Sequence, residues 1–188
     1  MRFRRAEPGS HAARILAAAD RLFYTQGIRA VGVDAVAAAA GVSKRTLYNH
    51  FASKDDLVAA YLTARFKPAP ASDRPAREQI RRYFERIEAM VADGSFRGCP
   101  YVNAVTELGD PKHPAVRIAV QFKEERRQWY RALLERIGVR DPEALATQIQ
   151  LLAEGAIATA LVRGDPAAVR AARGAAEVLI DASLRKRR

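Results

Sequence analysis

Lys44, Arg45, Thr46, Tyr48, Asn49, His50 and Lys54 crowd a short stretch of the chain with cations and hydrogen-bond donors. Their types match the chemistry of duplex DNA. Arg45 carries the forked donor set that pairs with guanine, Asn49 the amide that pairs with adenine, and Thr46 a methyl that fits against thymine. Tyr48, His50 and Lys54 offer the contacts that grip phosphates and fix register without reading sequence. Other chemistries lack their residues. Cys99 is the one cysteine, which excludes an intramolecular disulfide and a cysteine zinc cluster. His11, His50 and His113 stand far apart, without metal-ligand spacing. No phosphate-cradling glycine loop occurs, and no nucleophile has a base close by. A small helical enzyme therefore finds no support, and neither cofactor nor metal is expected.

The segment that must position these groups reads VDAVAAAAGVSKRTLYNHF over 33–51. It predicts a short helix over 33–40, a turn at Gly41, and a second helix over 44–50 with Ser43 as its N-cap. Two short helices joined by a glycine turn form a helix-turn-helix, whose second helix enters the major groove. Projected at about 100° per residue, Leu47 and Phe51 share the buried side of that helix. Asn49 lies opposite them, with Arg45 and Thr46 beside it. Tyr48 and His50 fall on the two flanks, and Lys44 low on the Tyr48 flank. Lys54 opens a further helix over 54–66, capped by Ser53, and can meet a phosphate there.

The remaining periodicity is helical almost everywhere, so an all-α fold of about nine helices is expected. A first helix over 10–26 is capped by Ser10 and stopped by Gly27. Lys67-Pro68-Ala69-Pro70-Ala71-Ser72 breaks helix continuity and marks a boundary between a domain at 1–67 and one at 68–188. Further helices are expected near 73–92, 99–108, 113–137, 142–163 and 166–185. The 188 residues carry a formal net charge of +11, which suggests a polyanionic partner. Residues 1–67 hold 11 basic and 5 acidic side chains, so the first domain is the more basic per residue. Arg2, Arg4 and Arg5 offer a short basic arm, or a simple disordered end, and 185–188 a basic tail. The chain shows neither a secretory leader nor a run of the ~18 apolar residues a membrane span needs. A cytoplasmic protein without a membrane partner is expected.

The stretch over about 10–60 resembles the DNA-binding region of the tetracycline-repressor (TetR) family of bacterial transcription regulators. The resemblance rests on Leu22-Phe23, Gly27, Ala35-Val36-Ala37, Gly41-Val42-Ser43, Thr46-Leu47-Tyr48-Asn49-His50-Phe51, Lys54 and Leu57. It implies base-facing roles for Lys44, Arg45, Thr46 and Asn49, and phosphate-facing roles for Tyr48, His50 and Lys54. It also implies a helical second domain that dimerises and holds a small-molecule effector. One position departs from the pattern. The family opens its second helix with Thr or Ser, and Val31-Gly32 stand there instead, so a hydroxyl contact to phosphate is lost.

In the second domain Tyr83, Tyr101, Phe122 and Trp129 are the candidates for an effector pocket. Phe122, Trp129 and Leu133 share one face of the long helix, and Arg126 lies along that seam, where it could meet an anionic ligand or reach out to water. Cys99 could be a thiol sensor or an inert apolar residue. Leu152, Ala156, Ala160, Ala176 and Leu179 are the candidates for a homodimer interface built from the last helices, unless those stripes pack inside one chain. The functional expectation is a repressor that leaves double-stranded operator DNA when a small molecule binds. The alternative is a helical protein-interaction module with a basic face and no sequence-specific DNA binding.

Overall fold

The computed structural model describes residues 7, 9–66 and 72–184. Among these residues the chain forms nine helices, and its one β-type pairing is an isolated bridge between Val139 and Leu184. The helices are α1 (His11–Gln26), α2 (Val33–Ala40), α3 (Lys44–His50), α4 (Lys54–Arg65), α5 (Ala76–Ala92), α6 (Pro100–Leu108), α7 (Pro114–Ile137), α8 (Pro142–Arg163) and α9 (Ala167–Ser183). Arg2, Arg4, Arg5, the tail at 185–188 and most of the proline linker lie outside the described residues.

Helix starts follow local chemistry. The hydroxyls of Ser10, Ser43 and Ser53 and the carboxylate of Asp141 each accept from a backbone N–H in the first turn of α1, α3, α4 and α8. Each satisfies one of the donors a helix start leaves unpaired. Gly32 caps α2 with no side-chain bond, as its missing side chain dictates. Gly41 ends α2 in the left-handed region at φ 64°, which only glycine adopts without a Cβ penalty. The tight turn into α3 depends on that residue.

The chain divides into two compact units. The first takes residues 1–67 together with 99–122, and the second takes 68–98 together with 123–188. The proline linker therefore does not separate all that follows it from all that precedes it. The reason is apolar burial: Tyr101, Ala104, Ala115 and Ala119 join the core made by Ile15, Ala19, Phe23, Val36, Leu47, Leu57 and Tyr61. Glu107 ties the same segment to the first helices, because its carboxylate accepts from Ile28 N at 2.6 Å and Arg29 N at 3.1 Å. The Arg65 guanidinium pairs with Asp20 and stacks 4.2 Å from the Tyr24 ring, clamping the end of α4 to α1.

In the second unit α5, α8 and α9 surround a core of Ile80, Phe84, Ile149, Ala153, Ala156, Val169, Ala176 and Ile180, joined by Tyr130 and Leu134 of α7. Arg77 of α5 clamps Glu177 at 2.5 Å and Asp181 at 2.7 Å on α9. This packing takes three of the five residues expected at the dimer interface into the core. Ala156, Ala160 and Ala176 are buried inside the unit, and Leu152 and Leu179 are half-buried against the same core. The three alanines are already covered by the chain itself.

The expectation about apolar runs also needs correction. By length and composition alone α8 is apolar enough to cross a membrane, with about a third of its apolar stretch buried. It is apolar on two faces. Leu145, Ile149, Ala153, Ala156 and Ala160 face the core, while Leu151, Gly155, Ala158 and Val162 are exposed. On α9, Ala171, Ala175, Val178 and Ala182 form a matching exposed row.

Candidate nucleic-acid interface

α3 is a short helix held from behind. Leu47 is 0% exposed and Phe51 5%, both within the core of the first unit. That anchorage fixes the rotation of the helix, so the opposite face is presented rather than free to turn inward. Lys44, Arg45, Tyr48, Asn49 and His50 are all exposed. Thr46 and Lys54 are half-buried. Burial thus gives the outward row the rotation that the helical period predicts.

The local bonds sort these residues further. Thr46 belongs partly to the cap: its N–H donates to the Ser43 hydroxyl at 3.0 Å, and the two hydroxyls lie 2.8 Å apart. Its methyl is the part left for apolar contact. Lys44 is paired with Asp34 of α2, its ammonium 3.0 Å from the carboxylate. The hydrogen bond and charge of Asp34 push the Lys44 pKa up from its ordinary value. His50 meets the His11 ring edge-on, with centroids 6.3 Å apart. Lys54 opens α4, where Ser53 accepts from Asp56 N–H at 3.0 Å.

Asp34 and His11 were not among the residues the sequence pointed to. No periodicity links Asp34 to Lys44 across the glycine turn, nor His11 to His50 across the first unit. An acidic residue beside a basic row was the only available signal.

The expected effector residues fall into two pairs, one in each unit. Tyr101 stacks on Phe122 at 4.0 Å in the first unit, is 2% exposed, and donates its hydroxyl to Leu62 O at 3.3 Å. Tyr83 and Trp129 lie 5.6 Å apart in the second unit, and Tyr130 packs on both rings. Arg126 lies 4.7 Å from the Tyr83 ring centroid and 5.2 Å from that of Trp129. Neighbouring rings hold a guanidinium in this way through their electron-rich faces. The Tyr130 hydroxyl is fully buried, with no hydrogen-bond partner among the described residues, and burial raises its pKa. Cys99 is half-buried at the start of α6. No group of three or more potential metal ligands gathers among the described residues.

Known proteins share both the pattern and the fold. A family model described as bacterial regulatory proteins, tetR family, matches residues 15–61. A second, described as tetracyclin repressor-like C-terminal domain, matches 76–176. A TetR-type transcriptional regulator from Streptomyces avermitilis is 39% identical, with a TM-score of 0.83 over 93% of this chain and 98% of that one. A TetR-family transcriptional regulator from Streptomyces coelicolor is 33% identical, with a TM-score of 0.83 over 93% and 97%. Among curated proteins, the HTH-type transcriptional regulator YjdC of Escherichia coli is 29% identical over 56% of this chain. The HTH-type transcriptional activator FasR of Mycolicibacterium smegmatis is 28% identical over 75% of it. The chain spans about half the length of these curated relatives, 55% and 52%.

Proposed function

The chain belongs to the tetR family of bacterial regulatory proteins, and on that premise we propose that it represses transcription by binding operator DNA through α3. The observation that carries this reading is the rotation of α3, with Leu47 and Phe51 buried behind and Arg45 and Asn49 exposed in front. In this reading Arg45 and Asn49 read base edges, the Thr46 methyl makes apolar contact, and Tyr48, His50 and Lys54 hold phosphates. Lys44 adds a contact once it leaves Asp34.

One helix of this length reads few base pairs, so the active species is a homodimer that reads two half-sites. The exposed rows Leu151, Gly155, Ala158, Val162 and Ala171, Ala175, Val178, Ala182 are the faces we assign to that contact. A two-fold axis would pair α8 and α9 with their copies in a four-helix interface.

A small molecule that binds the second unit would weaken DNA binding through a coupling free energy between the two sites. The Tyr83, Trp129 and Tyr130 rings around Arg126 support this part, since an unsatisfied buried hydroxyl is costly without a polar partner. FasR is named an activator. Repression rather than activation is part of the proposal.

Mobility-shift and footprinting measurements on the DNA upstream of the coding region test the reading. A protected pseudo-palindrome with half-sites about one helical turn apart is expected. Absence of binding to every duplex at low salt would instead favour a basic protein-interaction module.

A further inference from the structure

We propose that Asp34 is a specificity-determining residue of the DNA-facing surface and that it acts by restraining Lys44. The inference rests on the DNA-binding reading of α3. Asp34 stands in the first turn of α2, and Lys44 opens α3 on the far side of the Gly41 turn. The Lys44 ammonium lies 3.0 Å from both carboxylate oxygens of Asp34. The two side chains are 54% and 72% exposed, so the pair sits on the surface. Arg45 and Asn49 are different: neither has a hydrogen-bond or ion-pair partner among the described residues, and both stay available to bases.

Binding to arbitrary DNA is driven by phosphate neutralisation, and each phosphate neutralised adds about 0.9 to the slope of log affinity against log salt. A cation already neutralised by a carboxylate adds little to that term. Asp34 therefore removes one cation from indiscriminate binding and leaves the base-reading donors intact. The restraint is weak, because exposed ion pairs contribute little free energy. A phosphate held at the right place can take Lys44 from Asp34. Only the register fixed by Arg45 and Asn49 on a cognate site holds a phosphate there. Cognate complexes recover the contact, and sliding complexes do not.

The test compares wild type, Asp34→Asn, Asp34→Glu, Lys44→Met and the Asp34→Asn/Lys44→Met double variant by fluorescence anisotropy across a salt series. Two duplexes are used: one of arbitrary sequence, and the best binder selected by the wild type from a randomised pool. Asp34→Asn is expected to bind the arbitrary duplex about threefold more tightly or better, with a salt slope steeper by about one, and to bind the selected duplex nearly unchanged. Asp34→Glu keeps the charge and stays with the wild type. In the Lys44→Met background, Asp34→Asn loses most of its effect. An unchanged slope overturns the proposal. So does an equal gain on both duplexes, which would make Asp34 a general repulsive charge, or a gain that persists undiminished without Lys44. A wild type that binds no duplex at low salt overturns the DNA-binding reading itself, and this inference with it.

Discussion

The carboxylate of Glu107, in the last turn of α6, accepts from the backbone N–H of Ile28 at 2.6 Å across 79 residues of sequence. It accepts from Arg29 N–H as well, and Arg29 answers by donating to Leu108 O at 3.2 Å. The segment between α1 and α2 is thus fastened to α6 at both ends of a reciprocal latch. Ile28 is 3% exposed, so its N–H cannot turn to water when the carboxylate is removed. Glu107→Ala is expected to destabilise the protein by about 1–3 kcal/mol, the cost of stranding a buried donor. Gly27→Ala should do the same by another route. Its φ is 94°, and an added Cβ would lie 3.0 Å from Glu107 Oε2. Thermal and urea melts of both variants check the prediction. A Glu107→Ala protein as stable as the wild type would show the latch to be energetically idle.

Arg45 and Lys54 should fail in different ways. Arg45 faces outward opposite Leu47, where a bidentate pair with guanine is possible. Arg45→Ala is expected to cost about 1–3 kcal/mol on a cognate site and to relax preference at one base pair. Lys54 opens α4 beside its cap and serves only the backbone in our reading. Lys54→Ala should weaken all sequences alike and lower the salt slope by about one. Competition binding against single-base operator variants, repeated over a salt series, separates the two. If Arg45→Ala leaves both affinity and preference intact, α3 meets DNA in another orientation.

Much of this architecture is written in short-range pattern. The caps at Ser10, Ser43 and Ser53, the stop at Gly41 and the buried Leu47–Phe51 edge all depend on neighbours within a few positions. Helical period reads such relationships directly. The Glu107 latch and the Asp34–Lys44 pair depend on side chains brought together by tertiary packing, and no period links them. The choice of face on α8 was illegible for a different reason. Period shows which residues of α8 share a face, but when both faces are apolar it does not show which one the chain keeps for itself. Ala156 and Ala160 went inward, and Leu151 and Val162 stayed out. Tyr101 shows a related limit: helical spacing does not show that it joins the core of the first unit, stacked on Phe122.

The two apolar faces of α8 give a direct comparison. Val162 is 86% exposed and Leu151 65%. A charge at either position costs the folded chain little, because water already surrounds the side chain. Leu151→Glu/Val162→Glu is expected to leave the helical content intact, shift the protein from dimer to monomer, and weaken operator binding with it. Ala156→Glu buries a charge in the core of the second unit, and should unfold that unit rather than only separate copies. Sedimentation velocity and circular dichroism distinguish these outcomes. A double variant that remains dimeric at micromolar concentration would place the interface elsewhere.

Arg77 predicts an acid signature for the second unit. It holds α5 to α9 through Asp181 and Glu177, and the hydrogen bond from Arg77 lowers the Asp181 pKa below its ordinary 3.8. A carboxyl with a depressed folded-state pKa stabilises the fold fully above its unfolded value, and loses that contribution as pH falls through the folded value. The stability gap between wild type and Arg77→Met should therefore stay constant from neutral pH down to just above 3.8 and narrow below it. The pair is exposed, so the gap is small and should shrink further in high salt. Urea melts of both proteins at a series of pH values measure it. A gap that stays constant on acidification would mean that Arg77 acts through packing against α9 rather than through its carboxylate partners.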